Sequence, residues 1–390
     1  MKAAGLIVEY NPFHNGHLLH LKKARETDEE NIIIAVMSGD FVQRGEPAVI
    51  NRWKRAEAAL KNGIDIVVEL PVFYSCQSAE IFAKGAVGIL KELECSRIIF
   101  GSESSDIENL KKTAQLEESL EFKEKLKEYL GLGDSYPTAH SKAVKAVTGS
   151  EGSRTPNDIL GVEYIKAVEY WKAEIEPLCV KREKSDYHSS ETFEDIASAT
   201  AVRKLLREGK DIKKFLPLES WEILQREYEN KKTVSLEDFY PLIRYEVIRN
   251  RDILFSIQDM EKGYENRLYE AALLCSDFGS FFKSIESRRF TLGRTQRILI
   301  HILLGITEEM TKEVKKDVPF VRVLGFNSRG REYLSWLKKN KNRKIITSLK
   351  NIRETFSDEE RKLIEFNEQA SAIYKMVNFY EDVKIPLIFK

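Results

Sequence analysis

The sequence predicts an α/β fold: a Rossmann-like doubly wound parallel sheet followed by a mainly α-helical C-terminal domain. Three observations carry this. Apolar runs of strand length alternate with helix-length periodic segments through the first half of the chain. Each run stops at turn residues such as Asn11-Pro12, Gly63 or Pro71. From about residue 216 the strand signals thin out and helical periodicity takes over.

Taken in order, residues 3–8 (AAGLIV) read as a buried strand and 18–26 as a helix. Residues 31–37 (NIIIAVM) read as a second strand, 51–61 as a helix, and 64–70 (IDIVVEL) as a third strand. A helix is expected over 78–93 and a fourth strand over 97–100 (RIIF). Residues 106–130 are charged and helical, which suggests a solvated insertion. Residues 131–160 are rich in Gly, Ser, Thr and Pro and read as a long functional loop, a lid over the site. Pro156, Asn157 and Asp158 would cap a helix over 159–171, and 177–181 (PLCVK) is the expected fifth strand. A chain of 390 residues exceeds one ordinary core, so two domains are expected, 1–215 and 216–390.

The 62 basic and 62 acidic residues cancel, so net charge neither supports nor excludes nucleic-acid binding; only local clusters could. Cys76, Cys95, Cys179 and Cys275 have no CxxC spacing, which argues against a zinc site or a disulfide framework and fits a reducing cytoplasm. No basic–apolar leader opens the chain, and no apolar run reaches the roughly 18 residues of a membrane span.

The chemistry is concentrated after the first strand, at His14-Asn15-Gly16-His17. A strand, a turn and a helix start make a phosphate-binding geometry, because the first helical N–H groups lack partners and the dipole favours negative charge. Two histidines three apart share a helix face and can donate to phosphate oxygens. The plainer reading is a pair of capping histidines; a zinc pair lacks further ligands at suitable spacing. Late in the sheet region, Ser198-Ala-Thr200-Ala-Val-Arg203 opens another helix. Ser198 and Thr200 suit a cap, and Arg203 can reach back as a phosphate fork.

Together these motifs resemble the HIGH superfamily of nucleotidyltransferases. GLIVEYNPFHNGHLLHL, MSGDFVQRGEPAV, PNDILGVEY and RRFTLGRTQRILIHILLGI further resemble the bacterial tRNA(Met) cytidine acetate ligase family, over residues 5 to about 330. The resemblance implies an enzyme that uses ATP, with Mg2+, to convert acetate to acetyl-adenylate. It then acetylates the exocyclic amine of the wobble cytidine of elongator tRNA(Met), giving N4-acetylcytidine. It implies ATP along Leu6, Ile7, Val8, Glu9, Tyr10, Asn11, Pro12, Phe13, His14, Asn15, Gly16, His17, Leu18, Leu19 and His20. Gly101, Asn157 and Arg182 match further nucleotide-binding positions. Asp158 stands where asparagine is expected in many members.

Within that reading His14, His17, Thr200 and Arg203 face the charge of the leaving pyrophosphate. Asp40, in the loop after the second strand, joins His14 as a candidate base for the acetyl-transfer step. No metal ligands are assigned. Two stretches could hold tRNA: residues 281–297 carry net +4 (Lys283, Arg288, Arg289, Arg294, Arg297 against Glu286), and 321–350 carry nine basic residues and one acidic. The interleaved aromatics Phe290, Phe326, Tyr333 and Trp336 read as helical core. The alternatives are a small-molecule adenylyltransferase of the superfamily and a non-catalytic RNA-binding protein on its fold.

Overall fold

The computed structural model describes residues 1–29, 31–134, 136–149, 155–182, 195–287, 290–340, 344–381, 383 and 385–389. The main sheet is built from β1 (Ala3–Val8), β2 (Ile32–Ser38), β3 (Ile66–Leu70), β4 (Arg97–Ser102), β5 (Glu176–Lys181), β6 (Val321–Phe326), β7 (Ile345–Ile346) and β8 (Leu387–Ile388). Its order is β8-β6-β3-β2-β1-β4-β5, with β7 also paired to β6. Strands β1 to β5 are parallel. The order reverses between β1 and β4, so a ligand crevice is expected beyond the carboxyl end of β1.

Strand β2 shows why the sheet forms. All seven of its residues are buried, as a parallel strand covered on both faces requires. Ile33, Ala35 and Met37 point into one core with Leu21 and Trp53, from α1 (Asn15–Thr27) and α2 (Arg52–Lys61). Ile32, Ile34 and Val36 point into the other, with Leu90 of α3 (Ala79–Glu92). Gly5 lets α3 approach, since a Cβ there would lie 2.3 Å from Leu90.

Helices α4 (Ile107–Glu118) and α5 (Leu120–Gly131) form the expected charged insertion. The loop expected over 131–160 is corrected: it contains a helix, α6 (Tyr136–Thr148), and α7 (Pro156–Tyr170) begins before its end. Ala143 and Val144 pack on Phe122 of α5, an apolar stripe masked in sequence by the Ser, Thr and Gly around it. Residues 135 and 150–154 of that stretch lie outside the described residues.

Beyond residue 216 the chain is mainly helical, including α9 (Leu292–Leu304) and α10 (Asp358–Asn378), with α8 (Ala199–Arg207) leading into it. Strands are few there, as the thinning strand signal expects, but one of them, β6, returns to the sheet antiparallel to β3. The charge of Arg322 breaks its apolar run in sequence. In the fold that arginine is buried, 3.9 Å from Glu368. Ala35 and Leu6 of the sheet share one core with Leu268, Phe281 and Ile298 of the helical part. No helix among the described residues is long and apolar enough to cross a membrane.

Candidate active site

A cavity of about 660 Å³ opens beyond the carboxyl ends of β1 and β4. Of the predicted site residues, Ile7, Val8, Glu9, His14, Gly16, His17, Leu19, His20, Gly101, Asn157, Arg182, Ser198, Thr200 and Arg203 line it. Leu6, Tyr10, Asn11, Pro12, Phe13, Asn15 and Leu18 are not among the residues that line it. Tyr10 is fully buried at a left-handed φ of 48°, with its ring 4.5 Å from Phe13 and 5.0 Å from His17. The Asn11 side chain accepts the Val49 N–H at 2.7 Å. Asn15 donates to the carbonyls of Asp195 (2.9 Å) and Lys214 (2.8 Å), tying α1 to the chain around α8.

The two histidines cap α1 reciprocally. His14 Nδ1 accepts the Gly16 N–H at 3.1 Å, and His17 Nδ1 accepts the His14 N–H at 3.3 Å. Their rings stack with centroids 3.7 Å apart. Burial pushes both imidazoles down, His14 to about 3, so both are neutral at pH 7. A neutral ring that accepts at Nδ1 carries its proton at Nε2. Each histidine is therefore a cap and a fixed, uncharged Nε2–H donor at once. His20 continues the row one turn on, also pushed down by burial, to about 4; its buried Nε2 has no protein partner.

Cationic groups come from β5 and α8. Arg182 follows β5 and lies across Gly101, where a Cβ would come within 2.7 Å of its Cγ. Its Nη1 donates to Asn157 Oδ1 at 2.6 Å, and Asn157 in turn donates to Glu103. Thr155, not Asn157, occupies the cap position of α7; its hydroxyl donates to Glu103 at 2.6 Å. Asp158 accepts from the Ser102 hydroxyl, which fixes the end of β4. Ser198 caps α8 through the Ala201 N–H, 3.2 Å. Arg203 does reach back, donating to the Asn11 carbonyl at 2.8 Å and to Glu46 at 2.9 Å.

Asp40 is not brought to the cavity. It is buried, and its Oδ1 accepts the Arg52 N–H at 2.7 Å, where it serves the start of α2. Sequence reasoning places it at the sheet edge correctly; its side chain turns inward because Arg52 and Asn51 open a helix there. Sequence reasoning missed Lys23, Glu46, Glu103 and Tyr164, which all line the cavity. Lys23 was legible, lying three residues along α1 from His20.

The basic stretches are partly consumed internally. Arg294 pairs with Glu261 at 2.7 Å, Arg297 with Asp259 at 3.3 Å, and Lys344 with Glu360. Arg329 donates to the Asn31 carbonyl at 3.1 Å. Lys283, Arg331, Lys338, Lys339 and Lys350 stay exposed; Arg288, Arg289, Lys341 and Arg343 lie outside the described residues. Tyr333 is fully buried, and Phe290, Phe326 and Trp336 pack partly buried on the cores, as the core reading expects.

A switch-point crevice, two reciprocal histidine caps at a helix start and an arginine from a second helix define a nucleotidyltransferase of the HIGH type. The HIGH Nucleotidyl Transferase family model matches residues 1–384. The tRNA(Met) cytidine acetate ligase of Fusobacterium nucleatum is 47% identical over 398 residues, covering 99% of this chain and 98% of that protein. The ligase of Caldicellulosiruptor saccharolyticus is 44% identical over 354 residues, covering 90% and 88%. Crystal structures of Thermotoga maritima TmcAL, apo and bound with alpha-thio ATP, each superpose with a TM-score of 0.91 at 33% identity over 100% of both chains. The chain belongs to the tRNA(Met) cytidine acetate ligase family.

Proposed function

We propose that this protein is an ATP-dependent acetate ligase. It forms acetyl-adenylate and then acetylates the exocyclic amine of the wobble cytidine of elongator tRNA(Met), giving N4-acetylcytidine. The observation that carries the reading is the pair of neutral histidines, each held by a backbone N–H so that Nε2–H is its free donor. Acetate is an anion at neutral pH, so the first step needs no base. It needs the carboxylate and the α-phosphorus aligned and the leaving pyrophosphate stabilised. His14 and His17 supply fixed donors, and Thr200, Arg203, Arg182 and Lys23 surround them with polar and cationic groups.

The triphosphate would bring Mg2+ as its counter-ion; of the carboxylates lining the cavity, Glu46 accepts from Arg203, Glu103 from Asn157, and Glu9 from Gln43 through one of its two oxygens. The metal would add charge neutralisation at the phosphates. For tRNA, Arg44 sits exposed at the cavity rim with no side-chain partner among the described residues, beside the N-terminus of α9. We place the tRNA along that rim and the helical part from 216 onward, with Lys283 as a further phosphate contact. Four free cysteines suit the cytoplasm, where tRNA is found.

The test is incubation with ATP, Mg2+, labelled acetate and tRNA(Met), followed by nucleoside analysis. N4-acetylcytidine at the wobble position supports the reading. ATP turnover without label in RNA contradicts it and returns the protein to the small-molecule adenylyltransferases.

A further inference from the structure

The acetyl-transfer step needs a group to take the amine proton, and neither candidate read from sequence can serve. Asp40 is outside the cavity, its Oδ1 held by the Arg52 N–H. His14 and His17 accept at Nδ1 and so hold a proton, not a lone pair, at Nε2.

Three carboxylates line the cavity. Glu46 is paired with Arg203 at 2.9 Å, and Glu103 accepts from both Thr155 and Asn157. Glu9 differs. It closes the end of β1 at the switch point, and one oxygen accepts the Gln43 N–H at 2.9 Å. No other described residue donates to the carboxylate, so its second oxygen is unengaged in a cavity Glu9 lines. Burial raises its pKa, which makes it a stronger proton acceptor than an exposed carboxylate. The groups that face it are Arg44 and Glu46 from the hairpin, Arg203 from α8, Tyr164 from α7 and Cys76. Arg55 of α2 donates to its backbone carbonyl at 2.7 Å.

We propose that Glu9 is the catalytic base of acetyl transfer, an inference that rests on the ligase reading. The cytidine N4 lone pair attacks the acetyl carbonyl carbon and a C–N bond forms. The bond from that carbon to the adenylate oxygen breaks, and AMP leaves with the electron pair. The N4 proton passes to the free Glu9 oxygen and then to solvent. Gln43 N–H holds the other oxygen, so the receiving one keeps its aim.

The test compares Glu9→Gln and Glu9→Asp with the wild type, in acetate-dependent ATP–pyrophosphate exchange and in single-turnover acetyl transfer to tRNA. Glutamine keeps the acceptor for Gln43 N–H but cannot take a proton. Transfer by Glu9→Gln should fall about 10²–10³-fold further than exchange, and its pH–rate profile should lose the rising acid limb. Glu9→Asp should retain that limb and recover part of the rate. Equal losses in both assays, or transfer by Glu9→Gln with the wild-type limb intact, would overturn the assignment. Wild-type protein without acetate-dependent exchange or transfer would instead overturn the ligase reading itself, and this inference with it.

Discussion

His14 carries two jobs that substitution can separate. Its Nδ1 caps α1, and the ring, with its proton at Nε2, lines the cavity. Asparagine is among the best caps but has no group at the Nε2 position. His14→Asn should therefore leave stability within about 0.5 kcal/mol while adenylate formation falls about 10²-fold, as loss of one fixed donor does. Denaturant melts and exchange kinetics check the two halves. His20 makes a pH prediction. Its folded pKa is lowered to about 4, against an ordinary 6.5. Below 6.5 the unfolded chain takes up a proton that the fold refuses. The stability it contributes is full above pH 6.5 and lost as pH falls toward 4. Between pH 7 and 5 the wild type should lose about 1–2 kcal/mol more than His20→Gln, measured by urea melts at each pH. At this scale the sequence was informative wherever chain neighbours set the role. His14, His17 and Ser198 cap helices within one turn of their own motif; Arg203 acts at long range, on the Asn11 carbonyl and Glu46. Asp40 misled because its partner, Arg52, belongs to the next helix.

Among elements, the hairpin Phe41–Val42 with Glu46–Pro47 decides what reaches the cavity. It presents Gln43 and Arg44, and it rests on α9 through Gly45. Gly45 has φ +78°, and a Cβ would lie 2.2 Å from the Arg297 nitrogen. Gly45→Ala should cost about 1–3 kcal/mol, from strain and displacement together. It should lower acetyl transfer more than exchange, since the displaced residues line the acceptor side. Parallel assays of the two half-reactions check this. The strands and helices of the first half were legible because apolar period and turn residues agree there. Helix α6 was not, because Ala143 and Val144 are buried in a small cluster with Phe122, Leu126 and Leu116 of α5 and α4, and composition alone resembles a loop.

At the scale of the whole molecule, the two regions read from sequence are not independent bodies. Strand β6 pairs with β3, and Arg52 of α2 bridges Glu69 of β3 and Glu368 of α10, each at 2.8 Å. Without the C-terminal part, Arg52 and Glu69 stay buried with incomplete partners and the β3 edge is bare. A fragment of residues 1–215 should therefore fail to fold cooperatively, by circular dichroism and thermal melting; a native-like melt would contradict the interlocked sheet. This contact was beyond sequence reasoning because an antiparallel strand some 250 residues downstream leaves no local trace in β3. In the proposed reaction, neutral histidine donors drive adenylation of a small carboxylate. It is tested most directly by ATP–pyrophosphate exchange with and without acetate, on the wild type and on His17→Ala. Exchange should require acetate and fall about 10²–10³-fold in the variant. Exchange that is indifferent to acetate, or that survives in His17→Ala, would contradict it.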